Sequence, residues 1–184
     1  MNCGTILDGW VLVQQGKVRH GLAQIREGIA AHESTAGPLI QPWFHALLAE
    51  ALGRAGEVET ALETLDRALA TVERSDERWC EAELYRLRGE MSLHSGPRQG
   101  RRRGRSRTPE AAAEVCFWSA IESARRQGAK SWELRAATSL SRLRQQQGRV
   151  KEAREALADI YGWFSEGFDT SDLRAAKSLV TELS

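Results

Sequence analysis

After Gly56 the apolar residues Val58, Ala61, Leu62, Leu65, Ala68, Leu69 and Val72 follow one another at intervals of three or one, which places them on a single stripe of an α-helix. The same stripe returns after Gly148 as Val150, Ala153, Leu157, Ile160, Tyr161 and Phe164, and after Gly16 as Val18, Gly21, Leu22, Ile25 and Ile29. A fourth copy reads Ala113, Cys116, Phe117, Ala120, Ile121 and Ala124. Small residues sit at matching places in each, where helix axes must come close. No strand-like alternation of useful length is present, so the chain is expected to be all-α.

The glycines that precede these stripes set a period. Gly16, Gly56, Gly96 and Gly148 stand 40, 40 and 52 residues apart. From each glycine to the first small residue of the next helix the interval is 5 residues at Gly21, Ala61 and Ala153 but 17 at Ala113, and removing the 12 surplus residues restores the period of 40. A regular unit of this size predicts an α-solenoid of stacked helical hairpins. Units are expected at 2–36, 38–75, 76–127 with a basic insertion at 97–108, and 130–166, in a single domain over 1–184. Lengthening one turn from 5 to 17 residues costs only about 1 kcal/mol in closure entropy, which such a fold tolerates.

Start and stop signals agree with the hairpins. Thr108, Pro109 and Glu110 read as an N-cap, a first-turn proline and an acid at the positive end of a helix. Gly37–Pro38 and Gly96–Pro97 read as helix stops. Gly167 is expected to end the fourth second-helix, with Asp169 or Thr170 capping a last helix over 170–183 that covers the final buried face through Leu173, Ala176, Leu179, Val180 and Leu183. The first helix, around Leu7 to Gln15, has no such lid, which predicts an exposed apolar edge near Ile6, Trp10 and Val11. That edge is expected either to pair with itself in a homo-oligomer or to be covered by upstream chain.

Gly56, Ala61, Leu65 and Ala68, together with Gly89, Gly96, Ala113, Phe117 and Ala120, resemble the small-and-bulky pattern of the tetratricopeptide repeat, lengthened here from 34 to 40 residues. The resemblance implies a right-handed α-solenoid of about four hairpins plus the carboxy-terminal capping helix. Gly21 and Gly28 replace the alanines usual in that pattern, which suggests looser packing in the first unit. "RWCEAELYRLRGE" (78–90), "AKSWELRAATSLSRL" (129–143) and "YGWFSEGFDTSDLRAAKSLV" (161–180) further resemble the carboxy-terminal repeat region of large bacterial signalling proteins that join a class III adenylate or guanylate cyclase to an ATPase module. What this implies is a non-catalytic regulatory or protein-interaction segment of such a protein.

Charge sharpens one part of the picture. The chain carries 26 basic and 25 acidic residues, yet Arg98, Arg101, Arg102, Arg103, Arg105 and Arg107 fall within ten positions that hold no acid. The remainder is mildly acidic. An arginine run of this kind attracts phosphates or acidic surfaces, so the alternative function is nucleic-acid or acidic-partner binding through 98–107. It lacks interleaved aromatic residues, which favours a solvated loop.

Reactive chemistry is not encoded. No G-x-x-x-x-G-K-[ST] phosphate loop and no G-x-S-x-G nucleophile motif occurs, and His20, His32, His45 and His94 lack metal-ligand spacing. Cys3, Cys80 and Cys116 form neither a disulfide framework nor a zinc ribbon, which together with the lack of a signal-peptide pattern at the start favours a reducing cytoplasm. No run approaches the ~20 apolar residues of a membrane helix. Catalytic residues, metals and cofactors are therefore not expected. The paired acids Glu57 and Glu59, and Glu81 and Glu83, are expected on solvated helix faces, and Trp10, Trp43, Trp79, Trp118, Trp132 and Trp163 in core or rim packing. A protein or peptide partner is expected on the concave side, lined by Trp43, Glu50, Arg54, Glu83, Arg86, Glu90, His94, Arg135, Arg142 and Gln146.

Overall fold

The computed structural model of the chain describes residues 3–33, 40–95 and 108–184. The basic-loop arginines and the Gly37–Pro38 and Gly96–Pro97 stops lie outside those residues. Among the described residues the elements are all helical: α1 (Cys3–Gln14), α2 (Val18–Glu33), α3 (Gln41–Arg54), α4 (Val58–Ser75), α5 (Glu81–His94), α6 (Pro109–Gln127), α7 (Lys130–Gln146), α8 (Val150–Trp163) and α9 (Ser171–Glu182). None is long and apolar enough to cross a membrane.

Turn chemistry makes the hairpins. At Gly16, Gly56 and Gly148 the backbone takes φ of 82°, 81° and 75°, a left-handed conformation that glycine adopts without a Cβ clash. The next amide then reaches back five residues, Lys17 to Leu12, Glu57 to Leu52 and Arg149 to Arg144, at 2.9, 2.9 and 2.8 Å. These bonds satisfy carbonyls that the helix end leaves open and reverse the chain within three residues. At the start of α6 the Thr108 hydroxyl accepts from the Ala111 amide at 3.2 Å, the N-cap expected from the sequence.

Hairpins α1–α2, α3–α4, α5–α6 and α7–α8 stack in order. The first helices pack on one another, α1 on α3, α3 on α5, α5 on α7 and α7 on α9, and each second helix packs on the first helix of the following unit. No two second helices make comparable contact among the described residues. First helices are therefore crowded on the inside of an α-solenoid and second helices spread on its outside. The buried stripes match the sequence pattern: Ala61, Leu62, Leu65, Ala68 and Val72 on α4, and Ala113, Cys116, Phe117, Ala120, Ile121 and Ala124 on α6. Helix α9 closes the last face with Leu173, Ala176 and Leu179.

Three expectations at the ends of the array need correction. Helix α1 starts at Cys3, about a turn earlier than the apolar pattern suggests, which turns Ile6 fully inward. Only Leu7 and Val11 stay exposed on that edge, and Trp10 is partly buried. The first unit is also not loosely packed. Gly9 and Gly21 bring α1 and α2 together backbone to backbone: a Cβ on Gly9 would lie 2.8 Å from the Gly21 carbonyl oxygen, and a Cβ on Gly21 would strike Gly9 and Val13. Glycine here marks a close approach of two helix backbones. At the other end α8 stops at Trp163, about a turn before Gly167, whose φ of 75° belongs to the following turn.

Candidate functional site

First helices have to place side chains on the inside, and five of them converge on one depression of about 330 Å³. Helix α1 contributes Leu7 and Trp10, α3 contributes Trp43, Leu47 and Glu50, and α5 contributes Glu83 and Leu87. Arg135 enters from α7, and Ser171 and Asp172 from α9. Of the ten residues expected on the concave side, Trp43, Glu50, Glu83 and Arg135 meet here. Arg54, Arg86 and Glu90 are tied to its walls by ion pairs. His94, Arg142 and Gln146 are exposed farther along α5 and α7 and do not join it.

Its two walls are polar and internally paired. On the α3 side Glu50 accepts from the Trp10 indole N–H at 3.1 Å, from Gln14 at 3.1 Å and from Arg54 at 3.3 Å. Burial works against ionisation of Glu50, but these hydrogen bonds and the Arg54 charge more than offset it and hold its carboxyl below the usual range. On the α5 side Glu83, only 5% exposed, accepts two bonds from Arg86 at 2.9 Å and one contact from Arg135 at 3.0 Å. Arg86 also reaches Glu90 at 3.3 Å, and Glu90 accepts from the Ser139 hydroxyl at 2.6 Å. Burial of Arg86 disfavours its charge, yet Glu83, Glu90 and Glu50 together raise its pKa above the usual value. Arg86 is thus a strut beneath the surface, with 13% of its side chain exposed. Between the walls lies the apolar floor of Trp43, Leu47 and Leu87.

The acids of α5 do not face water as the sequence pattern suggests. Glu81 is buried and accepts from Ser123 at 2.7 Å, Arg78 at 2.8 Å and Arg126 at 3.2 Å. Glu83 is buried in the network above. A central first helix is covered by neighbours on opposite sides, so residues two apart can both be inside. By contrast Glu57 and Glu59 are exposed, Glu57 meeting Arg26 at 3.1 Å. Glu133 on α7 is likewise buried, held by Arg125 at 2.6 Å and Lys130 at 2.8 Å.

Glu133 gives this burial a pH signature. Desolvation pushes its pKa up, but the Lys130 and Arg125 hydrogen bonds and charges outweigh that and leave it depressed. A depressed carboxyl stabilises the fold above its unfolded pKa and loses that contribution as pH falls through its folded value. The stability gap between the native chain and Glu133→Gln is therefore expected to be largest above pH about 5 and to close on acidification below about 4, as read by urea unfolding across pH.

Other candidate chemistry resolves into packing. Trp43, Trp79 and Trp132 form a row, with ring centroids 5.7 and 6.2 Å apart, and Trp79 is 40% exposed at its middle. Arg144 lies 5.4 Å over Trp118 and Lys130 lies 5.7 Å over Trp163. His32 packs edge-on against Phe44, His45 lies 3.6 Å from Glu33, and His20 and His94 are exposed. Burial pushes the Cys80 thiol up to about 12, away from reactive thiolate. Among the described residues no group of three His, Cys, Asp or Glu side chains is placed to hold a metal.

Leu7, Trp10, Ala46, Leu47, Leu87, Ser171 and Asp172 line the depression and are absent from the sequence expectation for the concave side. One signal could have found the α9 pair: a 40-residue step from Trp132 lands on Asp172, which makes α9 a fifth first helix as well as a lid.

No protein-family profile matches the chain, and no curated protein matches it. Among solved structures, the crystal structure of a Podosopora anserina putative kinesin light chain with nearly identical TPR-like repeats is similar over 98% of this chain and 83% of that one. Its TM-score is 0.70 at 14% identity. A variant form of that protein matches with a TM-score of 0.71 at 14% identity over the same shares. The likeness establishes the fold as a TPR-like α-solenoid.

Proposed function

We propose that the chain is a non-catalytic scaffold that holds a protein partner, as an extended or helical segment, on the inner face of its first helices. The observation that carries this reading is the apolar surface that Leu7, Trp10 and Trp43 leave open above the buried Leu47 and Leu87, between two walls whose ion pairs are supplied by the chain itself, an arrangement that leaves apolar surface to be covered by something else. Trp43, Glu50, Arg54, Glu83, Arg86, Glu90, His94, Arg135, Arg142 and Gln146 remain the proposed partner-facing set, with Arg86 acting from beneath. The repeat units at 2–36, 38–75, 76–127 and 130–166, with the capping helix at 170–183, work as one domain. The strings at 78–90, 129–143 and 161–180 support placing this array in a signalling protein of the cyclase–ATPase kind, as its regulatory segment.

A photo-crosslinking residue tests the site directly. Placed at Leu7 on the inner face it is expected to give discrete adducts with a co-purifying protein, and placed at Lys151 on exposed α8 it is expected to give none. Equal adducts at both positions, or none at Leu7, would count against an inner binding face.

A further inference from the structure

We infer that the inner groove selects a peptide segment that presents one large apolar side chain next to a lysine or arginine. The inference rests on the inner-face binding reading and adds the chemistry of the occupant.

Size comes first. A depression of about 330 Å³ is roughly twice the ~150 Å³ cavity that accommodates a benzene ring, so it takes one bulky side chain together with part of a neighbour. The apolar contact it offers comes from Leu7, 48% exposed, and the half-buried Trp10 and Trp43, above the buried Leu47 and Leu87.

Charge then sets the neighbour. The ionisable groups lining the depression are Glu50, Glu83 and Asp172 against Arg135 alone. Glu83 is fully engaged, with both oxygens on Arg86 and one also on Arg135. Asp172 is 46% exposed and its nearest cation, the Arg135 Nε, stands 3.8 Å away. Glu50 is held mainly by neutral donors, Trp10 and Gln14; its one hydrogen-bonded cation, Arg54, sits at 3.3 Å and divides its guanidinium with Gln14 at 2.8 Å, and the Arg86 charge that also acts on it is committed to Glu83 and Glu90. Glu50 on α3 and Asp172 on α9 are the least tightly paired of four carboxylates, with Glu83 and Glu90, that face three cations, Arg54, Arg86 and Arg135, which leaves one negative charge in excess beside the apolar floor. An acidic segment would meet both of them and no spare cation, since Arg135 is already held between Glu83 and Asp172. A basic group adjacent to an apolar one satisfies the two features together.

The test is selection from a random dodecapeptide phage library on the full chain, followed by fluorescence anisotropy of the enriched peptides against the native chain, Leu7→Gln and Asp172→Lys. Both substitutions fall on exposed side chains, so folding is expected to be kept, and circular dichroism checks it. Enriched peptides are expected to carry Leu, Ile, Phe, Met or Trp beside Lys or Arg. Their affinity is expected to fall about 10-fold in Asp172→Lys, about 3-fold in Leu7→Gln, and to weaken as salt is raised from about 50 to 200 mM. Enriched peptides that are neutral or acidic but still weakened by Leu7→Gln would overturn the charge rule while leaving the groove reading intact. An absence of any peptide sensitive to Leu7→Gln would overturn both. If light scattering instead shows a dimer that Leu7→Gln dissolves, a second copy fills the groove and the inference fails.

Discussion

Gly21→Ala is expected to lower the stability of the chain by about 2 kcal/mol, a drop of roughly 4–8 °C in Tm for a chain of this size. Alanine would ordinarily help a helix interior by about 0.5–1 kcal/mol. Here that gain is overridden, because the added methyl meets the Gly9 carbonyl and the Val13 backbone, neither of which can rotate aside. The α1–α2 hairpin must open as a unit to make room. In a stacked array each hairpin touches only its neighbours, so the loss should concentrate at that end. Hydrogen exchange is expected to show faster opening of α1 and α2 with α7 and α8 unchanged. Gly162→Ala supplies the contrast: Gly162 lies in α8 with nothing within 4 Å of an added Cβ, so the same substitution should stabilise by up to about 1 kcal/mol. A Gly21→Ala chain as stable as the native one would show that α1 and α2 do not cross backbone to backbone.

The contrast between these two glycines also shows what a sequence can and cannot carry. Turn glycines such as Gly56 and Gly148 are legible because their spacing repeats and a helix stripe follows each one. The second helices are legible for the same reason: they bury one side only, so Ala61, Leu65 and Ala68 print a clean stripe. First helices are covered on more than one side, and their pattern blurs. Nothing in "EAELYRLRGEMSLH" says that Glu81 and Glu83 are inside, because their local partners Arg78 and Arg86, three residues away, would suit a solvated face equally well, and the cations that reach them from other helices, Arg126 and Arg135, lie 45 and 52 residues downstream. The tryptophan row escapes a search by period as well, since Trp43, Trp79 and Trp132 are 36 and 53 residues apart rather than 40. Gly21 is open to two opposite readings, loose packing or tight approach, and only the position of Gly9 across the hairpin decides between them. The inner groove follows the same rule. Its charged α3 and α5 residues, Glu50 and Glu83, could be placed by counting from the glycines, and Asp172 on α9 by one further period from Trp132, whereas its α1 residues depend on how far the array curves.

Removing Arg86 should be the other large loss, about 3 kcal/mol for Arg86→Leu, because it strands the buried Glu83 and weakens the hold on Glu90. Arg135 stays 3.0 Å from Glu83, which keeps the expected cost at the low end of the range for a broken buried pair. The double substitution Glu83→Leu/Arg86→Leu should recover most of it, since two apolar side chains of similar volume need no partner, and Arg135 retains Asp172 and solvent. Urea unfolding of the four chains in a double-mutant cycle is expected to give a coupling of about 2 kcal/mol or more. The neighbouring carboxylates raise the Arg86 pKa, so its charge persists throughout the accessible range and the single-substitution loss should stay flat from pH 6 to 9. The same pair supports one wall of the groove, which separates stability from binding. A double variant that refolds fully yet binds the selected peptides several-fold more weakly would mean that the ion pair is retained for the shape and charge of the inner face. Additive losses in the cycle would instead mean that Arg86 and Glu83 act independently, each satisfied by other neighbours.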